Sequence, residues 1–135
     1  MIWLLDGNAL VAMALPCHVF FDRTHRWLAG LPITDIIATC PLTEGTLLRL
    51  HMQQAQDKSP GAAWHTLRRI RAHPRHAFWS ENFSYTEIDP LRLTGHRQIT
   101  DSWLAELARR QGGKLATLDA ALAVLWPDST LLIPV

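Results

Sequence analysis

Four acidic residues of this chain lie beside apolar sequence, where an unpaired charge is energetically costly. They are Asp6, Glu44, Asp101 and Asp119, whereas most of the other acids lie in polar or loop-like surroundings. Clustered carboxylates repel one another, which raises their pKa values unless a cation lies between them. Hard oxygen ligands favour Mg²⁺ or Mn²⁺ over zinc. If the fold brings these acids together, they predict a magnesium site, with Mn²⁺ as the other candidate ion.

All four acids fall at places that a parallel sheet gathers at one edge. Asp6 follows an apolar run that is typical of a buried strand, and Asp119 ends another such segment. Glu44 and Asp101 each lie in the first turn of a predicted helix. A carboxylate at a helix start is often only a cap, because it interacts favourably with exposed N–H groups. Each acid alone is therefore explained as structural, whereas the four together indicate a site at the carboxyl ends of the strands.

The elements that position these acids alternate between strand and helix along the chain. Short apolar or β-branched runs predict strands, and apolar residues at helical spacing predict helices. The predicted strands are Ile2–Leu5, Ile33–Thr39, Ala77–Trp79, Leu115–Leu118 and Leu131–Ile133. The predicted helices are Ala9–Leu15, His18–Leu31, one that opens at Pro41, one from Ser59 to Arg71, Thr100–Gln111 and Ala120–Leu125. This alternation predicts a single-domain α/β sandwich on a parallel sheet over residues 1–135.

Two stretches depart from this regular pattern. Residues Ser80 to Gln98 lack periodicity and predict a loop with a helical turn. Gly45 lies inside the predicted third helix, where glycine costs about 1 kcal/mol relative to alanine. Such a glycine suggests that another part of the molecule approaches the backbone closely.

Composition places the chain among folded proteins of one domain, with 135 residues, 48% hydrophobic and 19% charged. The apolar beginning lacks a basic segment and contains Asp6, which argues against an export signal. No run of about 18 apolar residues predicts a membrane span, and two cysteines are too few for a disulfide framework. We therefore expect a cytoplasmic protein. The formal net charge of +1 does not indicate a class of partner.

Four ordered segments carry a family resemblance that covers essentially the whole chain. They read Leu-Leu-Asp-Gly-Asn-Ala-Leu from Leu4, Cys-Pro-Leu-Thr-Glu-Gly-Thr-Leu-Leu-Arg-Leu from Cys40, Thr-Asp-Ser-Trp-Leu-Ala-Glu-Leu-Ala from Thr100 and Leu-Ala-Thr-Leu-Asp from Leu115. Together they resemble the motifs of PIN-domain nucleases, and in particular the VapC toxins of bacterial VapBC toxin–antitoxin pairs. Gly7 departs from that pattern, since Thr or Val is more usual there.

The resemblance implies an α/β/α sandwich that cleaves RNA, commonly dimerises and is inhibited by a VapB-like antitoxin. It also implies an acidic metal site at Asp6, Glu44, Asp101 and Asp119, with Asn8 and Thr117 as supporting polar groups. Metal-assisted hydrolysis of the RNA phosphodiester is the reaction that suits such a site. Our hypothesis is that Asp6 and Asp101 are the central ligands. Glu44 and Asp119 then close the site, directly or through water.

The supporting residues keep more than one explanation at this stage. Asn8 either orients the Asp6 carboxylate, contacts the phosphate or caps the first helix, and Thr117 is also an ordinary strand residue. Arg49, about one helical turn beyond Glu44, either reaches phosphate or neutralises the local acid. Arg68 and Arg69 belong to a basic run that either contacts RNA, forms a solvated helix face or receives the antitoxin.

Two other protein classes remain as alternatives to the nuclease. A catalytically inactive PIN fold would act as an RNA- or protein-binding module, but it would be expected to have lost one or more of the four acids. A phosphoacceptor receiver domain also has acids at strand ends, but it needs a lysine near the site. The two lysines, Lys58 and Lys114, fall in a predicted loop and at a strand start.

Overall fold

Five parallel strands form one sheet at the centre of the computed structural model, which describes residues 1–135. The strands are β1 (Ile2–Leu5), β2 (Ile36–Thr39), β3 (His76–Phe78), β4 (Lys114–Thr117) and β5 (Thr130–Leu132). They follow the order β3-β2-β1-β4-β5, so β1 is central. The chain leaves β1 towards β2 on one side and later returns to β4 on the other. The carboxyl ends of β1 and β4 therefore form the switch point at which such sheets bind ligands.

Helices cover both faces of the sheet. They are α1 (Gly7–Ala14), α2 (Phe21–Ala29), α3 (Pro41–Gln54), α4 (Pro60–Ala72), α5 (Ile99–Arg110) and α6 (Ala120–Leu125). Leu5 packs with residues of α1, α3 and α4, whereas Leu4 packs with residues of α5 and α6, because alternate side chains of a strand point to opposite faces. The predicted α/β/α sandwich on a parallel sheet is confirmed. No helix is both long and apolar enough to cross a lipid bilayer.

The second helix and second strand are shorter than the sequence predicts. Residues 18 to 20 form a turn instead of helix, because the His18 ring and carbonyl accept the N–H groups of Phe20 and Phe21, both at 3.0 Å. The strand begins at Ile36 because the Asp35 N–H bonds to the Pro32 carbonyl, 2.9 Å away, in a turn. Hydrogen bonds within the turns explain both differences, through the His18 ring and backbone carbonyl in the first and through the backbone alone in the second.

The irregular connection between β3 and α5 is held against the α5 face. It contains three 3-10 turns, Tyr85–Glu87, Pro90–Arg92 and His96–Gln98, where the sequence predicts a loop with a helical turn. The Trp103 indole N–H donates to the Phe83 carbonyl at 3.0 Å, and the two rings stack with centroids 4.6 Å apart. This anchor explains how a segment without sequence periodicity keeps one course to the start of α5.

Gly45 is not closely approached by another part of the molecule, whereas Gly7 and Gly113 are. A Cβ atom at Gly45 would meet nothing within 4 Å, so the expectation of a close neighbour there is wrong. At Gly7 a Cβ atom would lie 2.6 Å from Thr46 Cγ2. Gly7 therefore lets α1 begin close to α3.

Candidate active site

Asp6, Asp101 and Asp119 line one cleft at the carboxyl ends of β1 and β4. Asp6 follows β1 directly, Asp101 lies in the first turn of α5, and Asp119 precedes α6. The cleft has a volume of about 330 Å³ and is lined mostly by polar side chains. The cleft lies at the switch point of the sheet, and parallel α/β sheets commonly bind their ligands at this point.

Asp6 is nearly inaccessible and is held through both carboxylate oxygens. It is 4% exposed and caps α1, since Oδ1 accepts the Ala9 N–H at 2.8 Å. Oδ2 accepts a short hydrogen bond from the Thr117 hydroxyl. Burial raises the pKa of Asp6 to about 6, against the lowering effect of these two bonds, and the nearby Asp119 charge adds to the rise. The cap of α1 is thus Asp6, and the interpretation of Asn8 as that cap is wrong.

Asp101 is the least constrained of the three carboxylates. It accepts no hydrogen bond from another protein group, although it lies in the first turn of α5. Burial raises its pKa to about 7, and the charges of Asp6 and Asp119 contribute to that rise. Repulsion among three close acids, two of them with raised pKa values, is the electrostatic situation that a cation relieves.

Thr117 connects the first acid to the third. Its hydroxyl is fully buried, donates its one proton to Asp6 and accepts the Asp119 N–H at 3.0 Å. Asp119 caps α6, because its Oδ1 accepts the N–H groups of Ala121 and Leu122 at 2.9 and 3.3 Å. The relative positions of Asp6 and Asp119 are therefore fixed by one strand-end threonine.

Glu44 lies in the first turn of α3 but does not line the cleft. Its Oε2 accepts the Thr39 hydroxyl at 2.8 Å. Because that hydroxyl has only one proton, it must accept from His76, whose Nε2 lies 2.7 Å away. The structure thus brings three of the four predicted acids together and holds the fourth towards β3.

The three cleft carboxylates suit a hard divalent cation in their chemistry, since all donors are oxygen atoms. No three His, Cys, Asp or Glu side chains converge closely enough to hold a metal ion as they stand. Asp101 has no hydrogen bond to lose, so a small rotation of its side chain adjusts the site at little cost. Glu44 joins such a site only if it leaves Thr39.

Two further predicted residues line the same cleft. Asn8 is exposed, and its Oδ1 lies 3.1 Å from Nε2 of His18. Arg49 is also exposed and forms no salt bridge, so no acid of the chain neutralises its charge. Both side chains are free to contact a ligand.

The basic run on α4 lies apart from the cleft. Arg69 lines a different cavity, of about 460 Å³, and both Arg68 and Arg69 are exposed. Two other members of the run are structural: the Arg71 guanidinium lies 4.4 Å from the Phe78 ring centroid, and Arg75 donates to backbone carbonyls. Of the predicted RNA-contacting arginines, the structure therefore places only Arg49 beside the acids.

Three residues that hydrogen-bond to predicted site residues, directly or through one another, were missed by the sequence reasoning. Thr39 could have been found, because it ends a strand as Thr117 does. His76 could not have been found from the sequence, because it starts a neighbouring strand 37 positions away from Thr39. His18 lies ten residues after Asn8, beyond the end of α1, and no periodic pattern relates the two.

Comparisons with known proteins show the family and the fold of the chain. No protein-family model matches the chain. It is 40% identical over 131 residues to Ribonuclease VapC29 of Mycobacterium tuberculosis, which covers 97% of this chain and 96% of the relative. Ribonuclease VapC38 of the same species is 37% identical over 125 residues, or 90% of this chain and 88% of the relative.

Solved structures share the fold across almost the whole chain. VapBC2 from Rickettsia felis, bound to a DNA fragment from its promoter, matches with a TM-score of 0.67 and 18% identity, covering 97% of this chain and 98% of the other. FitAcB from Neisseria gonorrhoeae matches with a TM-score of 0.56 and 17% identity, covering 97% and 96%. At such low identity these structures support the fold alone.

Proposed function

The chain belongs to the VapC family and is an RNA-hydrolysing enzyme, and we propose that Asp6, Asp101 and Asp119 hold the divalent cation that its cleavage reaction needs. Mg²⁺ is the proposed ion and Mn²⁺ its substitute, because all the donors are carboxylate oxygens. One observation carries the proposal: three acids share a small polar cleft, and burial together with mutual repulsion raises the pKa of Asp6 and Asp101.

Each acid has a distinct part in holding the ion. Asp6 is the fixed central ligand, because Thr117 and the Ala9 N–H determine its orientation. Asp101 is the second central ligand and is free to rotate. Asp119 and Glu44 close the site, directly or through water, and Glu44 has to turn away from Thr39 to do so. When bound, the ion supplies a nucleophile from water at neutral pH and stabilises the leaving 3′-oxygen.

The chain's own cationic group beside this site is Arg49. Its guanidinium suits bidentate contact with a phosphate group, and its place on the cleft wall puts it next to the proposed scissile bond. Arg68 and Arg69 lie on a different helix and would contribute only sequence-independent contacts with more distant RNA phosphates.

The proposed biological role is that of the toxin in a toxin–antitoxin pair. Because the relatives are VapC ribonucleases and a solved structure of the same fold is of VapBC2, we propose a VapB-like antitoxin as the partner of this chain. We also propose a homodimer and a cytoplasmic location. Neither alternative class is favoured: the relatives are named ribonucleases, and neither lysine lines the cleft as a receiver domain would require.

The metal site is tested by RNA cleavage in Mg²⁺, in Mn²⁺ and in EDTA. We expect cleavage to need the added ion, and Asp6→Asn to abolish it while circular dichroism shows an unchanged fold. Asp128→Asn is the matched control, because Asp128 is an exposed acid outside the cleft. A folded and fully active Asp6→Asn protein would contradict the assignment, as would cleavage of equal rate in EDTA.

A further inference from the structure

His18 has a defined proton arrangement that follows from its hydrogen bonds. The ring is half-buried in the turn between α1 and α2, and its Nδ1 accepts the backbone N–H of Phe20 at 3.0 Å. A nitrogen that accepts a hydrogen bond carries no proton. The single ring proton of neutral His18 therefore lies on Nε2. Burial also lowers the pKa of His18, which favours the neutral ring.

This proton determines which end of the Asn8 amide faces the histidine. Nε2 of His18 donates to Oδ1 of Asn8 across 3.1 Å. The amide nitrogen of Asn8 is then directed away from His18, and no protein oxygen accepts from it. Because Asn8 lines the cleft, the group that it leaves free beside the acids is an NH₂ donor.

A free donor and a metal ligand are opposite roles, since cations bind the amide oxygen and phosphates bind the amide nitrogen. We propose that His18 is a positioning residue that turns the Asn8 NH₂ group towards a phosphate oxygen of the RNA, and that Asn8 is not a metal ligand. This inference rests on the proposed function in one respect, namely that the scissile phosphate occupies the acid cleft. On this proposal the role of Asn8 is substrate contact.

Asn8→Asp separates the two roles, because aspartate keeps the oxygen ligands and lacks the donor. The substrate-contact role predicts that Asn8→Asp lowers kcat/KM by at least about 10-fold, because the phosphate loses one hydrogen bond and meets a new negative charge. It also predicts that calorimetric titration with MnCl₂, without RNA, shows no weaker binding for Asn8→Asp or Asn8→Ala. Retained activity in Asn8→Asp, or Mn²⁺ binding weakened by Asn8→Ala, would overturn the inference.

The part played by His18 is tested by a double-mutant cycle on a fluorophore- and quencher-labelled RNA pool of random sequence. Asn8→Ala and His18→Leu should each lower kcat/KM, and the double variant should be no worse than Asn8→Ala alone, because His18 acts through Asn8. His18→Gln, which restores an N–H donor, should recover part of the loss. Additive losses, or no recovery with glutamine, would show that His18 serves only the turn.

His25→Leu is the matched control for this cycle. His25 is a nearby histidine whose Nε2 lies 2.7 Å from the Met13 carbonyl oxygen, and it does not line the acid cleft. Its replacement should leave kcat/KM unchanged. The cycle is independent of the metal assignment: an active Asp6→Asn protein would overturn the metal site, whereas additivity between Asn8 and His18 would overturn the positioning alone.

Discussion

Two threonines end the strands that flank β1, and each donates its hydroxyl proton to a carboxylate, with opposite results for the cleft. Thr117 donates to Asp6 on the β4 side, and Thr39 donates to Glu44 on the β2 side. The Asp6 carboxylate lines the cleft and the Glu44 carboxylate does not. The difference lies in the second bond of each hydroxyl, which accepts from the Asp119 N–H in one case and faces His76 in the other.

This difference shows that a strand-end hydroxyl does more than satisfy one carboxylate. The Thr117 hydroxyl ties two acids of the cleft to each other, so the β4 side is organised before any ion binds. The Thr39 hydroxyl ties Glu44 to a residue outside the cleft, so the β2 side has to rearrange to contribute a ligand. The cleft is therefore preorganised on one side only.

The largest expected contrast is between the acids themselves. Asp101→Asn should lower kcat/KM by more than about 100-fold, since loss of a metal ligand exceeds the 10- to 100-fold effect typical of its supporting residues. Glu44→Gln should cost about 10-fold, because the glutamine amide still accepts from Thr39 and contributes a weaker oxygen ligand. Steady-state kinetics in saturating Mg²⁺ measures both. Equal losses would show that Glu44 is as central to the site as Asp101.

A smaller contrast is expected between the two threonines. Thr117→Val should lower kcat/KM by about 10- to 100-fold and weaken Mn²⁺ binding, because Asp6 loses its orienting donor. Thr39→Val should cost less than about 10-fold, since it frees Glu44 without disturbing Asp6. Thr130→Val is the control, because Thr130 is a buried β5 residue that donates to the Trp126 carbonyl at 2.7 Å. If Thr39→Val is the more damaging variant, the contrast between the two sides is reversed.

The smallest expected effect is a pH dependence of thermal stability. Asp6 and Asp101 have folded-state pKa values of about 6 and about 7, above the ordinary value of an aspartate. Folding therefore disfavours their ionised forms, and this penalty is absent at low pH, grows as pH rises and is complete above about pH 7. Mg²⁺ relieves this penalty, so it should raise Tm more at about pH 8 than at about pH 5. Each kcal/mol of relieved unfolding free energy corresponds to a rise in Tm of about 3–6 °C.

Differential scanning calorimetry of the metal-free and Mg²⁺-loaded protein measures this difference at both pH values. In Asp101→Asn the pH dependence should shrink, because one of the two titrating groups is gone. An Mg²⁺ effect that is the same at both pH values would contradict the view that the cleft acids are the groups being relieved.

The sequence predicts the parts of the site that depend on topology. Asp6 and Asp119 follow strands, and a parallel sheet puts those ends together, so their meeting follows from strand pattern and connection order. The fold class follows in the same way from the alternation of strands and helices. Asp101 also follows, because its place in the first turn of α5 is fixed by a strongly periodic helix.

The parts that the sequence does not predict depend on side-chain hydrogen bonds between distant residues. Glu44 has the predicted backbone position, but its carboxylate is turned by Thr39. His18, which orients Asn8, lies in a segment whose apolar spacing predicts a helix. The segment is a turn instead, because the His18 ring accepts the Phe20 N–H. Such bonds select one rotamer among several, and residue spacing does not encode that selection.

Gly7 and Thr46 line the same wall of the cleft, and only Thr46 has a side chain there. A β-carbon at position 7 would lie 2.6 Å from the Thr46 methyl group, closer than two carbon atoms can pack, so one of the two side chains has to move. Val or Thr at position 7 therefore requires either that the Thr46 side chain rotate away or that position 46 carry a smaller residue. The side chain at position 46 thus determines which residues position 7 can carry at this wall of the cleft.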